Sequence, residues 1–382
     1  MPKQPSIYNI LILINVRWWN ATAFYAVNIG RILSKKGHRV FIGCREDYPA
    51  YGIARSHGLS VVPLDFSGLR LPALARNFAA LERFVKRERI HIINAHRSED
   101  HTFAVLSKRM SGVKAVLTRG DQRSISRNPL SSLKYRMADA AIVTCRFLLD
   151  QSQHVFQPMQ EKTAVIYGSV DEDHFKPTRP ALETRKKYGI APDKKVVGWV
   201  GRLSPVKDPG TFITAAADVL ERQDNVAFVL AGKDVEIKRA DLLQTIHRRN
   251  MQKHVTVLPQ IDDIADLMNV FDVSVVSSTG SETISRVLLE YMFLGKPVIG
   301  TPINAIGEII QPGINGELMP PGDARVLSSK IAALLEDDRR RTEYGQNSLK
   351  RYQRHYSEER FYEQTLQVFD GIFSRQKTKP HT

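Results

Sequence analysis

A chain of 382 residues is long for a single hydrophobic core and predicts two domains. Its 42% hydrophobic and 25% charged residues are those of a globular protein, the early apolar run 10–14 is too short for a bilayer span or a signal peptide, and two cysteines, Cys44 and Cys145, exclude a disulfide framework and fit a reducing compartment. The net charge of +15 is lopsided: residues 1–168 hold 25 Lys and Arg against 11 Asp and Glu, a net of +14, while the remainder holds 30 against 29. The first half is therefore expected to meet an anionic surface or substrate, with nucleic acid and anionic membrane both candidates.

In chain order, residues 8–14 read as a strand. The loop 15–20 carries Trp18 and Trp19, which fit the walls of a binding site and core or lid positions equally well. A helix follows over 21–36, with Ala26, Ile29, Ile32 and Leu33 at helical spacing, Asn20 as its cap and Gly37 as its stop. A strand over 39–43 comes next. Residues 71–89 form an amphipathic pattern: Leu71, Leu74, Phe78, Leu81 and Val85 make a stripe, and Arg76, Arg83, Lys86, Arg87 and Arg89 crowd the rest. Such a helix suits an anionic membrane, and it equally suits a domain surface with a solvated basic side. The strand 91–94 leads into Ala95-His96-Arg97, a polar cluster where parallel sheets present ligand groups. Beyond the strand 114–117, the loop 118–123 offers Asp121 to orient a hydroxyl and Arg119 or Arg123 to hold a phosphate or carboxylate. A further strand covers 138–144, and residues 165–175 connect the two halves.

The second half repeats the alternation of strand and helix. The continuous apolar run 196–200 predicts a parallel strand. Gly201-Arg202 and Lys207 follow it, then Asp208 as a cap with Pro209 at the first helical position. Strands are expected at 226–231 and 254–258, the latter ending in Pro259-Gln260-Ile261. Asp262 and Asp263 are expected to cap the next helix. The strand 273–276 runs into Ser, Thr and Gly. A helix then places Ile284, Val287, Leu288, Tyr291 and Met292 on one side, and Gly295 closes it. Glu282 sits where loop becomes helix, and Glu290 lies eight residues on, a rise of about 12 Å on nearly the same face. The helix N-terminus between them suits a phosphate. Helices dominate from 323, the last over 358–373, and the polar tail after Arg375 is expected to fray.

These residues carry a resemblance. Glu282 and Glu290 resemble the Glu-x7-Glu motif of the family-four retaining glycosyltransferases, which have the GT-B fold. In that family the first glutamate contacts the donor sugar and the second bonds the ribose hydroxyls. The stretch LLEYMFLGKPVIGTPINAIGEII is similar to the family's pattern of Glu, apolar helix, Gly-x-Pro-Val and a later Gly-Glu. Gly201-Arg202-Leu203 with Lys207 resembles its diphosphate loop, which implies that Arg202 and Lys207 neutralise the phosphates. Gln260 and Ile261 stand where the family packs the base against backbone. His96 resembles a histidine lying near the donor sugar. The loop from Thr118 resembles that of bacterial lipopolysaccharide-type members. Two departures stand out. Asn20-Ala21-Thr22 replaces the usual glycine pair, so the backbone approaches a diphosphate less closely there. The usual Glu-Gly-x-Gly becomes Glu282-Thr283-Ile284-Ser285, which implies a different sugar preference. Residues 165–175 resemble the family's interdomain crossing, with Tyr167 in place of Asn. Asp171-Glu172-Asp173 also matches the D-x-D metal signature of another glycosyltransferase fold, but a linker is the wrong place for it.

The resemblance implies an α/β architecture of two Rossmann-like domains facing a cleft. An acceptor domain would span 1–168, a nucleotide-sugar domain 169–355, and a crossover helix with tail 356–382. It implies metal-independent, cofactor-free transfer of a sugar from a nucleotide donor to an acceptor hydroxyl, with retention. Arg202, Lys207, Glu282 and His96 would be catalytic. Gly201, Gln260, Ile261, Thr283, Ile284, Ser285, Glu290 and Asn20 would bind donor, and Trp18, Arg119, Asp121 and Arg123 acceptor. Lys207 is expected to be exposed. The basic first half points to an anionic lipid-linked or lipopolysaccharide-type acceptor, with peripheral contact at the cytoplasmic face of the membrane. The alternatives are a nucleotide-sugar epimerase and a nucleic-acid-binding protein. Against the latter, the cations lack interleaved stacking aromatics. A dinucleotide oxidoreductase fits the sequence least well of these readings, since no strand is followed by G-x-G-x-x-G.

Overall fold

Short apolar runs recur between helix-period segments and become parallel strands, the central ones buried on both faces. We describe the protein from a computed structural model covering residues 7–66 and 71–377; the tail beyond 377 lies outside the described residues. The chain divides into two compact units, Met1–Ser169 with Glu358–Thr382, and Val170–Ser357.

The first unit has seven parallel strands: β1 Asn9–Leu13, β2 Arg39–Cys44, β3 Ser60–Pro63, β4 Ile92–Ala95, β5 Lys114–Arg119, β6 Ala140–Val143 and β7 Thr163–Val165. Their order is β3-β2-β1-β4-β5-β6-β7. The second unit has β8 Lys195–Val200, β9 Val226–Ala231, β10 Val255–Leu258, β11 Val273–Val276, β12 Val298–Gly300 and β13 Gly316–Leu318, in the order β10-β9-β8-β11-β12-β13. Each is a doubly wound Rossmann-like sheet. Its order reverses between β1 and β4 in one unit and between β8 and β11 in the other, and the loops leaving those strands are where such sheets bind ligands.

Several elements differ from the sequence reading. The helices Pro49–Ser56 and Ser98–Ser111 and strand β3 were not anticipated. Strand β5 runs on through Thr118 and Arg119, so Arg119 is a buried strand residue and not part of an open loop. The amphipathic helix, Leu71–Arg87, turns Leu81, Phe84 and Val85 into its own domain's core, with the Phe84 ring edge-on to Phe41 at 5.1 Å. Its apolar side is thus covered toward the C-terminal end, while Leu71 at its start stays 82% exposed.

The last helix, Glu358–Lys377, belongs to the first unit. Phe361 and Phe369 are buried in it, Tyr25 packs on Phe361 at 4.7 Å, and the Tyr8 hydroxyl donates to Asp370 at 2.6 Å. At its start Glu358 pairs with the buried Arg31. In the second unit the core gathers Trp199, Phe212, Phe228 and Leu230. Gly198 is required there, since a Cβ would lie 2.1 Å from the Phe271 ring.

Phe369→Ala is expected to destabilise the first unit by about 3–5 kcal/mol, because the aromatic volume is fully enclosed. Urea unfolding of the full chain measures this, and an unchanged midpoint would refute the assignment of the last helix to that core.

Candidate active site

The second unit places its polar side chains at the ends of β8 and β11. Leaving β8, Gly201 passes so close to Gly232 that a Cβ on Gly232 would sit 1.7 Å from the Gly201 carbonyl oxygen. The Leu203 amide then donates to the Lys233 carbonyl at 2.8 Å, holding the loop beside β9. Lys207 and Asp208 close a tight turn onto the Ser204 carbonyl, with amide distances of 3.0 and 3.1 Å. Asp208 has a left-handed backbone, φ 49°, and its carboxylate accepts from the Thr211 amide at 3.0 Å and hydroxyl at 2.6 Å. It caps the helix Pro209–Leu220, as expected.

The loop after β11 is stitched to this one. The indole Nε1 of Trp199 donates to Ser277 Oγ at 2.9 Å, and that hydroxyl donates to the Asp208 carbonyl at 2.7 Å. The Thr279 amide reaches the Val206 carbonyl at 2.9 Å. Between the loops lies Glu282, 4% exposed. Its carboxylate accepts from Ser278 Oγ at 2.5 Å and pairs with the half-buried Lys207 ammonium. Its carbonyl accepts the Ala305 amide at 3.0 Å.

Two expectations are corrected here. The helix runs Arg286–Phe293, so Glu282 precedes it by four residues, and the two glutamates do not share one helix face. The break is made by Ser281 and Ser285, with φ of 58° and 47°, a left-handed backbone that non-glycine residues rarely adopt. Lys207 is not freely exposed, because it neutralises a buried carboxylate. Glu290 does lie on the helix, buried, with Arg286 Nε at 2.8 Å from its carboxylate. Burial pushes its carboxyl above the usual range and Arg286 opposes that. Thr283, Ile284 and Ser285 are buried nearby, and the Ser285 hydroxyl has no hydrogen-bond partner among the described residues. Arg202 and Gln260 are exposed and Ile261 is half-buried. The loops thus bring together Lys207, Ser278 and Glu282, with Ser285 just before the helix that carries Glu290. Ser278 opens the stretch 278–282, which resembles the family's donor-sugar corner, but the sequence reading did not single it out as a ligand of Glu282.

Asp263 does not cap its helix through its side chain. It accepts from Arg179 at 2.6 Å, Lys187 at 2.6 Å and the Tyr188 hydroxyl at 2.5 Å. These donors hold its carboxyl well below the usual range against the effect of desolvation. The acid is structural, anchoring the segment that enters the second unit.

In the first unit, Asn20 accepts from the Ala23 amide at 3.0 Å, a side-chain cap as expected. Trp18 is exposed with the Arg17 guanidinium over its ring at 4.8 Å. Arg119 donates to the Arg123 carbonyl. Asp121 accepts from Arg123 Nε at 2.9 Å and lies 3.5 Å from Arg97, so its charge is met by two guanidinium groups. His96 is buried against Tyr25, neither ring nitrogen has a hydrogen-bond partner among the described residues, and burial lowers its pKa to about 3, which keeps it neutral. Beside the end of β1, buried Asp100 accepts from the Asn15 amide at 3.0 Å and side-chain amide at 2.7 Å, fixing the loop after β1. Burial raises its pKa to about 7 despite these bonds. Asp100 and Asn15 were also missed, because they are 85 positions apart in sequence and only the fold brings them together.

Known proteins match both halves. Residues 22–174 match the family described as Glycosyltransferase Family 4, and residues 181–351 match Glycosyl transferases group 1. N-acetyl-alpha-D-glucosaminyl L-malate synthase of Bacillus anthracis is 25% identical over 315 residues, 80% of each chain. The crystal structure of Anabaena Alr3699/HepE in complex with UDP superposes with a TM-score of 0.80 at 22% identity, covering 95% of this chain and 100% of that one. WaaG, a glycosyltransferase involved in lipopolysaccharide biosynthesis, gives a TM-score of 0.66 at 14% identity over 95% of this chain and 100% of its own.

Three outcomes follow from this geometry. Lys207→Ala should destabilise the chain by roughly 3 kcal/mol by stranding a buried carboxylate, and adding Glu282→Gln should recover part of that; chemical denaturation of the double-mutant cycle tests the coupling. Ser285→Gly should stabilise by about 1 kcal/mol by releasing left-handed strain, read as a higher urea midpoint. Asp100 binds its proton more tightly folded than unfolded, so its contribution is full below 3.8 and is lost as pH rises through about 7. Asp100→Asn should therefore flatten the stability profile across that window.

Proposed function

The chain belongs to the GT-B glycosyltransferases, and from that premise we propose that it transfers a sugar from a uridine diphosphate donor to a hydroxyl of an anionic, membrane-held glycan, with retention and without a metal. The observation that carries the donor site is the Lys207–Glu282–Ser278 cluster at the strand-order reversal between β8 and β11. In the proposed reaction the bond from the anomeric carbon to the diphosphate oxygen breaks. The acceptor oxygen bonds that carbon on the same face, and the acceptor proton passes to the departing phosphate oxygen. Arg202 and Lys207 stabilise the charge that develops on the diphosphate. Glu282 orients the sugar, and Glu290 accepts from the ribose hydroxyls. No described side chain is assigned as a covalent nucleophile.

The choice of uridine is supported by the relative solved with UDP and, separately, with UDP-glucose. The acceptor class is supported by the net charge of +14 over residues 1–168. No helix among the described residues is long and apolar enough to cross a membrane; the contact we propose is peripheral, at the cytoplasmic face, and rests on the basic charge of the first half.

A thermal-shift panel of UDP, GDP, ADP and CMP tests the donor site. UDP at a hundred times its dissociation constant should stabilise by about 2.7 kcal/mol. Glu290→Gln should raise the UDP dissociation constant about tenfold, roughly 1.4 kcal/mol. UDP release from UDP-sugars should depend on an added acceptor. Release without one, or a sugar epimer in its place, would refute transfer.

A further inference from the structure

The short helix Pro129–Met137 is inside out. Its only buried side chain is Tyr135. At roughly 100° per residue, Leu130, Leu133 and Met137 fall in one narrow stripe on the side opposite Tyr135. All three are solvent-facing, 77%, 49% and 38% exposed. The neighbouring helix, Ser98–Ser111, adds Leu106 and Met110, one turn apart and 43% and 66% exposed. The helices are tied by Lys108 Nζ donating to the Met137 carbonyl at 2.8 Å and Lys134 Nζ donating to the Ser98 carbonyl at 3.1 Å. Five large apolar side chains on two adjoining helices of one unit are more than scattered surface residues.

Charge identifies what covers them. Arg109, Arg127 and Arg136 are exposed on the same two helices and the turn before them, and none makes an ion pair among the described residues. Apolar side chains flanked by uncompensated guanidinium groups match an anionic bilayer surface, with the apolar tips among acyl chains and the cations at headgroup phosphates. A nine-residue helix is far too short to cross. The helix Leu71–Arg87, with the stronger amphipathic pattern, is a poorer candidate because Leu81, Phe84 and Val85 are committed to the core.

We propose that the outer face of helices 98–111 and 129–137 is the surface by which this protein docks on anionic membranes. The proposal rests on the peripheral-membrane part of the reading above and names the face that performs it.

The experiment is flotation of the full chain with phosphatidylcholine vesicles, with and without phosphatidylglycerol. Wild type should bind only the anionic vesicles. The triple variant Leu130→Ser, Leu133→Ser, Met137→Ser should weaken partitioning on the order of 10-fold or more. Arg109→Gln, Arg127→Gln, Arg136→Gln should weaken it on the order of 100-fold. Both should keep the wild-type melting temperature and UDP-induced shift, since every altered side chain is exposed. Wild type that ignores anionic vesicles refutes both this face and the peripheral reading, while leaving the UDP assay to judge the donor site. Wild type that binds, with both variants binding equally, refutes the face alone. Loss instead with Arg76→Gln, Arg83→Gln assigns docking to helix 71–87. A wild-type dimer in sedimentation velocity that the leucine variant dissociates assigns the stripe to a second copy of the chain, which also overturns the proposal.

Discussion

A buried carboxylate has to be neutralised, and in the second unit that requirement organises the site. Glu282 is enclosed, so its charge must be met by donors that come to it. Lys207 arrives from the loop after β8, and Ser278 from the loop after β11. To hold the glutamate between them the chain adopts left-handed backbone at Ser281 and Ser285, and again at Asn304 next to the amide that binds the Glu282 carbonyl. Strain of this kind persists only where the surroundings over-determine it. Here the surroundings are the Trp199–Ser277–Asp208 chain of hydrogen bonds and the Gly201–Gly232 approach, which fix both loops to the sheet.

The strands of this site were legible because parallel strands are short apolar runs ending at polar loops. The reading of 226–231 and 273–276 coincides with β9 and β11. The cap at Asp208 with Pro209 was legible for an equally local reason. The helix start after Glu282 was not. Ile284, Val287, Leu288, Tyr291 and Met292 keep helical spacing, but periodicity reports which side chains are buried and says nothing of φ. A serine in left-handed backbone at 285 is invisible to it. The environment of Lys207 was hidden for a related reason, since its partner is distant in sequence. Asp263 misled in the opposite direction: an acid before a helix fits a cap, and only the fold shows Arg179, Lys187 and Tyr188 converging on it.

The two units share a strand order and differ in what they do with charge. In the second, cations and anions nearly balance and are paired locally. In the first, the excess of 14 positive charges is spread over helices whose outer sides carry few acids. Amphipathic pattern alone points to Leu71–Arg87, which commits Leu81, Phe84 and Val85 to the core. Leu71–Arg87 has the clearer apolar stripe, and it is clear because it packs on the core. Pro129–Met137 has a weaker pattern, and its apolar stripe is outside because Tyr135 alone anchors it. Sequence periodicity measures segregation of side chains, and only the fold says which segregated side faces solvent.

On the proposed function, the Lys207–Glu282 pair is a resting arrangement that a donor exchanges. A diphosphate arriving at the ends of β8 and β11 offers Lys207 a doubly charged partner in place of a single carboxylate. As the ammonium turns toward phosphate, Glu282 keeps only the Ser278 hydroxyl, and a buried carboxylate with one donor is poorly compensated. Sugar hydroxyls are the donors able to complete it. Binding of the diphosphate and of the sugar are thereby coupled: the nucleotide alone leaves Glu282 short of a partner, and the sugar alone finds Glu282 already satisfied by Lys207. Discrimination for the intact donor over its separate parts follows from one buried charge that must never be left unpaired.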